Sequence, residues 1–167
     1  MVSLHYFEIR VASGEGRPWF FDVTEDILSH IRTSAVANGI VVVSTHHTTC
    51  SILIQEAAFD LTASGLETLQ QDFVDILERI SPPQPDDGGF YLHPGPQAIE
   101  FAAAHGEDLR GARNTDAHLR SGIIGRSEVI PIIDSGPDLG NFGRVYLIDF
   151  DQTRPRERTV GLTVIGE

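Results

Sequence analysis

Lysine is absent from this chain of 167 residues, and all 12 of its basic side chains are arginine. Schiff-base chemistry and lysine general-base chemistry are therefore excluded. Positive charge is also scarce, because 24 acidic residues leave a net charge of −12. Nucleic acids and anionic membranes bind clustered cations, and the sequence contains no cationic stripe. We therefore expect neither a nucleic acid nor a membrane as a partner.

Cysteine and long hydrophobic runs are scarce as well. Cys50 is the only cysteine, which excludes an intramolecular disulfide and a cysteine-rich zinc site. Any metal ion must therefore be held by histidine and carboxylate side chains. The longest apolar run, residues 40–43, is far shorter than the ~18 residues that cross a bilayer. The N-terminus has no basic segment followed by an apolar stretch, so we expect a cytoplasmic protein.

The length and the order of the predicted elements indicate the fold class. A chain of this length with 41% hydrophobic residues suits one domain over residues 1–167. Predicted strands cluster near both ends of the chain, and predicted helices lie between them. This order favours an α+β fold, a β-rich sandwich of mostly antiparallel or mixed sheets with a few helices, over a βαβ repeat.

Hydrophobic periodicity places the individual elements. Alternation or β-branched runs predict seven strands, over residues 4–11, 19–23, 40–44, 48–55, 128–133, 144–150 and 158–165. Apolar residues three or four apart predict helices over residues 24–35 and 61–80, and shorter helices over 96–104 and from about 114 to 121. The segment 81–89, SPPQPDDGG, is predicted to be a surface loop.

The segment Ser44–Cys50, STHHTTC, concentrates imidazoles and hydroxyls between two predicted strands. If the backbone is extended, alternate residues share a face, so His47 lies on the polar, accessible side and His46 on the packed side with Cys50. A packed position favours an inert thiol for Cys50 over a nucleophile. Taken alone, His47 fits a structural, hydrogen-bonded residue better than a metal ligand.

Two more histidines, in other parts of the chain, favour the interpretation as a metal site. His93 lies in FYLHPG and His118 in NTDAHLRSG, both among turn-forming residues of the kind that present functional groups. Three histidines and a carboxylate such as Asp116 match the ligands of a catalytic metal site with one open position. Their long spacing leaves open whether the three side chains meet.

A succession of motifs resembles the YjbQ family over roughly residues 5–167. The motifs are His47-Thr48-Thr49 through Gln55-Glu56, Asn114 to Gly125, Val129-Ile130-Pro131-Ile132, Leu139-Gly140, and Thr153 to Arg158. The resemblance implies a compact β-rich α+β sandwich, a homotrimer, and a histidine cluster that binds a divalent metal. The family carries the description of a secondary thiamine-phosphate synthase.

The resemblance implies His47, His93 and His118 as the metal ligands, with Glu56 nearby. Zinc is the metal that imidazole ligands favour, with magnesium or manganese as alternatives. The chain departs from the family where Asp116 replaces a histidine, which shifts the preference toward harder ions. It also departs at residues 140–143, where GNFG replaces the common GTWQ.

Thiamine-phosphate synthesis displaces pyrophosphate, so a metal ion and arginine side chains are expected to neutralise the leaving group. We predict Arg120 and Arg126 as contacts to a small phosphorylated molecule, and we expect the arginines of residues 154–158 on a solvated edge strand. Two alternatives remain open. One is a metal-dependent phosphate-ester hydrolase with Glu56 or Asp116 as base, and the other is a non-catalytic, metabolite-binding or metal-assembled oligomer.

Overall fold

A computed structural model of the protein describes residues 1–87 and 89–167. Its strands are β1 (Ser3–Ser13), β2 (Trp19–Asp22), β3 (Gly39–Ser44), β4 (Cys50–Glu56), β5 (Ser127–Ile133), β6 (Gly136–Pro137), β7 (Gly143–Asp149) and β8 (Arg156–Gly166). Its helices are α1 (Thr24–Ser34), α2 (Thr68–Ile80), α3 (Pro96–Ala104), α4 (Leu109–Ala112) and α5 (Thr115–Ile124). The predicted loop over 81–89 includes residue 88, which lies outside the described residues.

The strands form two antiparallel sheets. One has five strands in the order β1-β8-β3-β5-β6, and the other has three in the order β2-β7-β4. The main hydrophobic core, which takes side chains from α1 and from both sheets, includes Ile27, Val41, Ile52, Leu147 and Leu162. The predicted α+β class is confirmed, and the pairing between the described strands is antiparallel throughout.

A second core covers the other face of the three-stranded sheet. Strand β7 is apolar on both faces, as expected for a strand buried on both sides. Val145 and Leu147 point into the main core, while Tyr146 and Ile148 pack against Leu77 of α2 and Ala117 of α5. This packing fixes α5, and with it His118, against the three-stranded sheet.

Helix α2 begins at Thr68, seven residues later than predicted. Residues 61–67 instead form a tight turn in which Gly65 has a φ of +81° and Leu61 pairs with Glu67. Glu67 and Gln70 then form a capping box that starts the helix. The apolar spacing continued upstream of the true start, so periodicity alone extended the helix too far.

Residues 156–158 of β8 pair with β1 only, because the pairing of β8 with β3 begins at Gly161. The expectation of a solvated strand for residues 154–158 is wrong, because its arginine side chains are buried or half-buried. Arg156 and Arg158 have the same parity as the buried Val160 and Leu162, so both side chains point inward. The exposed fraction of Arg158 is 7%.

No helix within the described residues is long and apolar enough to span a membrane.

Candidate functional site

A cleft of about 460 Å³ opens where the turn at residues 45–49, the segment 93–112 and the start of β8 come together. We call the apolar lining residues, which belong mainly to α3, the apolar wall, and the polar lining residues the polar wall. The lining residues are Thr48, Thr49, His93, Pro94, Ala98, Phe101, Ala102, Glu107, Gly111, Ala112, Asn114, His118, Asp151, Arg156 and Arg158.

Two of the predicted metal ligands, His93 and His118, meet in this cleft with ring centroids 5.7 Å apart. The Nδ1–H group of His118 donates to the carbonyl oxygen of Thr48 at 3.2 Å. The hydroxyl of Thr115 donates to the His93 carbonyl, so its oxygen accepts from Nδ1–H of His93 at 2.8 Å. Both rings are thereby held in the tautomer that leaves the lone pair on Nε2.

The protonation state of His93 follows from its surroundings. Burial lowers the pKa of His93 below its ordinary value, and the neighbouring His118 lowers it further. A neutral imidazole is the form that binds a metal or accepts a proton. The pair is therefore suited to coordination or to proton transfer through the two Nε2 atoms.

His47 is placed differently from this pair. Its Nε2 atom accepts a hydrogen bond from the backbone N–H of Thr159 at 3.0 Å, and the ring does not line the cleft. Burial, followed by the nearby Arg158 cation, lowers the pKa of His47, which keeps this acceptor neutral. Within residues 1–87 and 89–167, no group of three histidine, cysteine or acidic side chains is placed to hold a metal ion. The expected set of three histidines is thus not assembled in one chain.

The expectation that His46 faces the packed side is wrong, because His46 is exposed while His47 is half-buried. The strand pattern stops at Ser44, and a turn closed by the N–H of Cys50 bonding to the His47 carbonyl interrupts the alternation. Cys50 itself is fully buried, and burial raises the pKa of its thiol, as suits an inert cysteine.

Arg120 and Asp116 lie away from the cleft. The Arg120 side chain has no exposed surface, and it donates to the Ser81 carbonyl through Nε at 3.1 Å and Nη2 at 2.8 Å. Its Nη2 also lies 3.4 Å from Asp116, whose pKa is raised by burial in opposition to this ion pair. Arg120 therefore joins α5 to the end of α2, and contact with a substrate phosphate is sterically blocked.

The two remaining predicted residues are both exposed, and neither lines the cleft. Arg126 follows α5, and its carbonyl accepts from the N–H of Thr45. Glu56 ends β4 six residues beyond Cys50, which corresponds to roughly 20 Å of extended chain. The cleft thus lies near one end of β4, and Glu56 lies at the other.

The polar wall contains residues that the sequence did not single out. Arg158 donates to Asp149 through Nε at 2.8 Å and Nη2 at 3.1 Å, and Arg156 Nη1 donates to Glu107 at 3.1 Å. Burial alone would lower the pKa of Arg158, but its hydrogen bonds to Asp149 raise the pKa above the ordinary value. The shared parity of Arg156, Arg158 and the apolar β8 residues was the signal that could have found them.

Comparison with known proteins agrees with this architecture. The sequence profile of the family described as UPF0047 protein YjbQ-like matches residues 7–167. A UPF0047 protein of Methanocaldococcus jannaschii is 30% identical over 146 residues, covering 87% of this chain and 84% of the relative. A UPF0047 protein of Synechocystis is 29% identical, covering 96% of this chain and 91% of the relative.

Solved structures show the same fold. A YbjQ-like protein from Sulfolobus solfataricus, described as of unknown function, has a TM-score of 0.72 at 19% identity, covering 99% of this chain and all of its own. A hypothetical protein from Aeropyrum pernix has a TM-score of 0.68 at 27% identity, with 99% of each chain covered. On the profile match and the shared fold, this chain belongs to the YjbQ-like UPF0047 family.

Proposed function

We propose that the cleft binds a small phosphorylated molecule beside a divalent metal ion held by Nε2 of His93 and Nε2 of His118. The proposed reaction is a group transfer of the thiamine-phosphate synthase type. The observation that carries the proposal is the matched state of the two imidazoles, each fixed by a hydrogen bond from Nδ1 so that Nε2 bears the lone pair.

The donor set fits a metal as two of its ligands. Histidines that bind metals usually donate their other ring N–H to a protein oxygen, as His93 does to Thr115 and His118 does to the Thr48 carbonyl. Zinc is the preferred ion, because imidazole nitrogen suits it and its tetrahedral shell would keep positions for water, substrate or a group from another subunit. When bound, the metal would neutralise charge on a leaving diphosphate.

The lining of the cleft suits a ligand with a ring and a phosphate. In the proposed transfer, the ring nitrogen of a thiazole phosphate bonds to the methylene carbon of a pyrimidine methyl diphosphate while the bond from that carbon to the diphosphate oxygen breaks. The apolar wall, with Ala98 and the exposed ring of Phe101, would pack against a ring. Asn114 and Arg156 on the polar wall carry N–H groups that would orient phosphate oxygens.

The hydrolase alternative loses the bases proposed for it, because Glu56 and Asp116 do not line the cleft. Non-catalytic binding of a metabolite stays an outcome of the activity assay. That assay incubates the purified protein and zinc with the thiazole phosphate and the pyrimidine methyl diphosphate and measures pyrophosphate release. Release that requires both substrates supports transfer, release from the diphosphate alone supports hydrolysis, and binding without release supports a non-catalytic role.

The metal-to-chain ratio after incubation with zinc tests the ligands. His93→Ala and His118→Ala are each expected to abolish metal retention while leaving the circular dichroism spectrum unchanged. His5→Ala and His30→Ala, on other elements, are the matched controls and are expected to retain metal. His47→Ala is also expected to retain metal, because its Nε2 is bonded to the backbone of Thr159. Equal retention in all five variants would contradict the proposed site.

We further propose that the chain assembles as a homotrimer through the outer face of its five-stranded sheet. On that face, Tyr6 of β1 and Val129 of β5 are more than half exposed. They belong to a row in which neighbouring strands add Thr163 and Val42, and Tyr6 is the one aromatic side chain in the row. Three of the four side chains in this row carry large hydrocarbon groups, and the exposure of Tyr6 and Val129 favours contact with another copy. The mass of the native protein in solution tests this assembly.

A further inference from the structure

Glu107 occupies the arginine-rich end of the cleft. Its Oε1 atom accepts a hydrogen bond from Nη1 of Arg156 at 3.1 Å and also contacts Nη2 of Arg154. A single carboxylate oxygen thus faces two guanidinium groups. Arg156 and Glu107 both line the cleft, and the guanidinium of Arg154 lies beside Gly111, which is another lining residue.

The two arginines have hydrogen-bonding capacity that Glu107 does not use. The Nε atoms of Arg154 and Arg156 are buried, and neither has a hydrogen-bond acceptor among the residues that the structure describes. Asp151 lies 3.4 Å from Nε of Arg156, which is an ion-pair contact only. A guanidinium group carries five N–H donors in a planar fork that matches the oxygens of a phosphate. A phosphate group would therefore satisfy more of these donors than one carboxylate oxygen does.

The charges at this end of the cleft balance only while Glu107 is present. The arginines of residues 154–158 supply three positive charges, and Glu107, Asp149 and Asp151 supply three negative ones. Asp149 and Asp151 are almost completely buried, and both are paired with Arg158. Without Glu107, three positive charges face two negative ones, which leaves a net charge of +1. The site would then attract an anion.

Glu107 is also the acidic group that can leave. It follows Gly106, which has a φ of +78°, in the connection between α3 and α4, and its side chain is 31% exposed. None of the nine residues of α3, all of which the structure describes, is buried. Neither hydrophobic core includes a residue of this segment. Movement of the Glu107 carboxylate would therefore leave both sheets undisturbed.

We propose that Arg154 and Arg156 form an anion subsite for the phosphate of the ligand, and that Glu107 closes this subsite until the phosphate displaces its carboxylate. The inference rests on the proposed function, because that function supplies the class of ligand. It adds Arg154 and a displaceable carboxylate to the phosphate contact proposed above for Arg156, in place of the Arg120 and Arg126 that the sequence predicts. The chemistry required is that of a phosphate or diphosphate group on a small molecule.

Binding of inorganic pyrophosphate, measured by calorimetry in the presence of EDTA, tests the closure by Glu107. Glu107→Gln removes the competing charge and keeps the size of the side chain, so affinity is expected to rise about tenfold. Glu157→Gln is the matched control, because Glu157 is an exposed carboxylate that lies 3.7 Å from Arg10. Its affinity is expected to equal that of the native chain. Unchanged or weaker binding by Glu107→Gln would overturn the proposal that Glu107 closes the subsite.

The arginines are tested in the same assay. Arg156→Gln and Arg154→Gln are each expected to weaken pyrophosphate binding at least about tenfold. Arg110→Gln is the matched control, because the Arg110 side chain is exposed, lies 4.0 Å from Glu15 and does not line the cleft. Thermal unfolding of each variant identifies any that fail to fold. If one of the two arginine variants fails to fold, the other still tests the subsite. Native affinity in both would overturn the subsite.

The two proposals fail separately. EDTA removes the metal, so pyrophosphate binding under these conditions reports the arginine subsite alone. Zinc retention by the same preparations reports His93 and His118. Suppose that the chain retains zinc, but pyrophosphate affinity neither rises in Glu107→Gln nor falls in Arg156→Gln. That result would overturn the subsite and leave the metal site supported. The reverse result would overturn the metal site alone.

Discussion

Replacement of Arg158 by methionine is expected to destabilise the protein strongly. The Arg158 side chain is 8% exposed and donates to Asp149 at 2.8 and 3.1 Å and to the Thr49 hydroxyl at 3.1 Å. Methionine has a similar length and no hydrogen-bond donor. The substitution therefore removes three hydrogen bonds and leaves Asp149, which is completely buried, without its cation.

The size of the effect follows from the charge that remains. Removing one partner of a buried ion pair costs about 3–5 kcal/mol, because the other charge stays buried without compensation. The Ser13 hydroxyl still donates to Asp149 at 2.6 Å, and the N–H of Asp151 at 3.1 Å, so we expect the lower end of that range, about 3 kcal/mol. Domains of this kind unfold with about 5–15 kcal/mol in total, so the loss is a large fraction of their stability.

Urea unfolding followed by circular dichroism measures the change in the free energy of unfolding. Arg10→Met is the matched control, because the Arg10 ion pairs are exposed and worth about 0–1 kcal/mol. In the double variant Arg158→Met, Asp149→Leu the buried charge is gone, and stability is expected to recover part of the loss. A cost below about 1 kcal/mol for Arg158→Met, or a double variant no more stable than the single one, would refute the reasoning.

Three further outcomes are expected. Iodoacetamide should leave Cys50 unmodified in the folded protein and label it in urea, because burial raises the pKa of its thiol; labelling of the native chain would contradict this. Gly39→Ala should lower the free energy of unfolding by at least about 2 kcal/mol, because the new Cβ would lie 2.1 Å from the Ile165 carbonyl oxygen. Gly122→Ala in α5 is the control, because its Cβ would meet open space, and it should raise the free energy of unfolding by about 0.5–1 kcal/mol. Equal effects of the two substitutions in urea unfolding would contradict the close approach at Gly39. Val129→Glu on the outer sheet face should reduce the solution mass measured by light scattering to that of one chain, and an unchanged mass would contradict assembly through that face.

Much of the secondary structure could be predicted because it follows from local side-chain patterns. The apolar residues of α2, among them Val74 and Leu77, recur at helical spacing and bury one face. The β-branched run in β3 and the alternation in β8 predict strands for the same reason. The start of α2 was predicted too early, because the apolar spacing continues upstream of Thr68. The turn around Gly65 and the cap at Glu67 delay the start of the helix.

The candidate site was predictable only in part. Turn-forming neighbours singled out His93 and His118, and the structure brings the two rings together, with His118 in the first turns of α5. His47 was assigned by strand alternation, which the turn before Cys50 interrupts. Arg120 was chosen because it lies two residues after His118, although residues two apart on a helix point about 200° apart, toward nearly opposite faces. Proximity in the sequence therefore indicated the wrong arginine.

The sequence by itself determined the class of fold, the absence of lysine and the family resemblance, because hydrophobic periodicity, composition and a succession of short motifs carry these three features. The tertiary structure decided which polar groups meet. The His118 ring bonds to the Thr48 carbonyl 70 residues away, and Arg158 bonds to Thr49 109 residues away. Such contacts depend on how β8 pairs with its neighbouring strands and how α5 packs on the sheet. A local sequence pattern does not predict contacts between residues so far apart in the sequence.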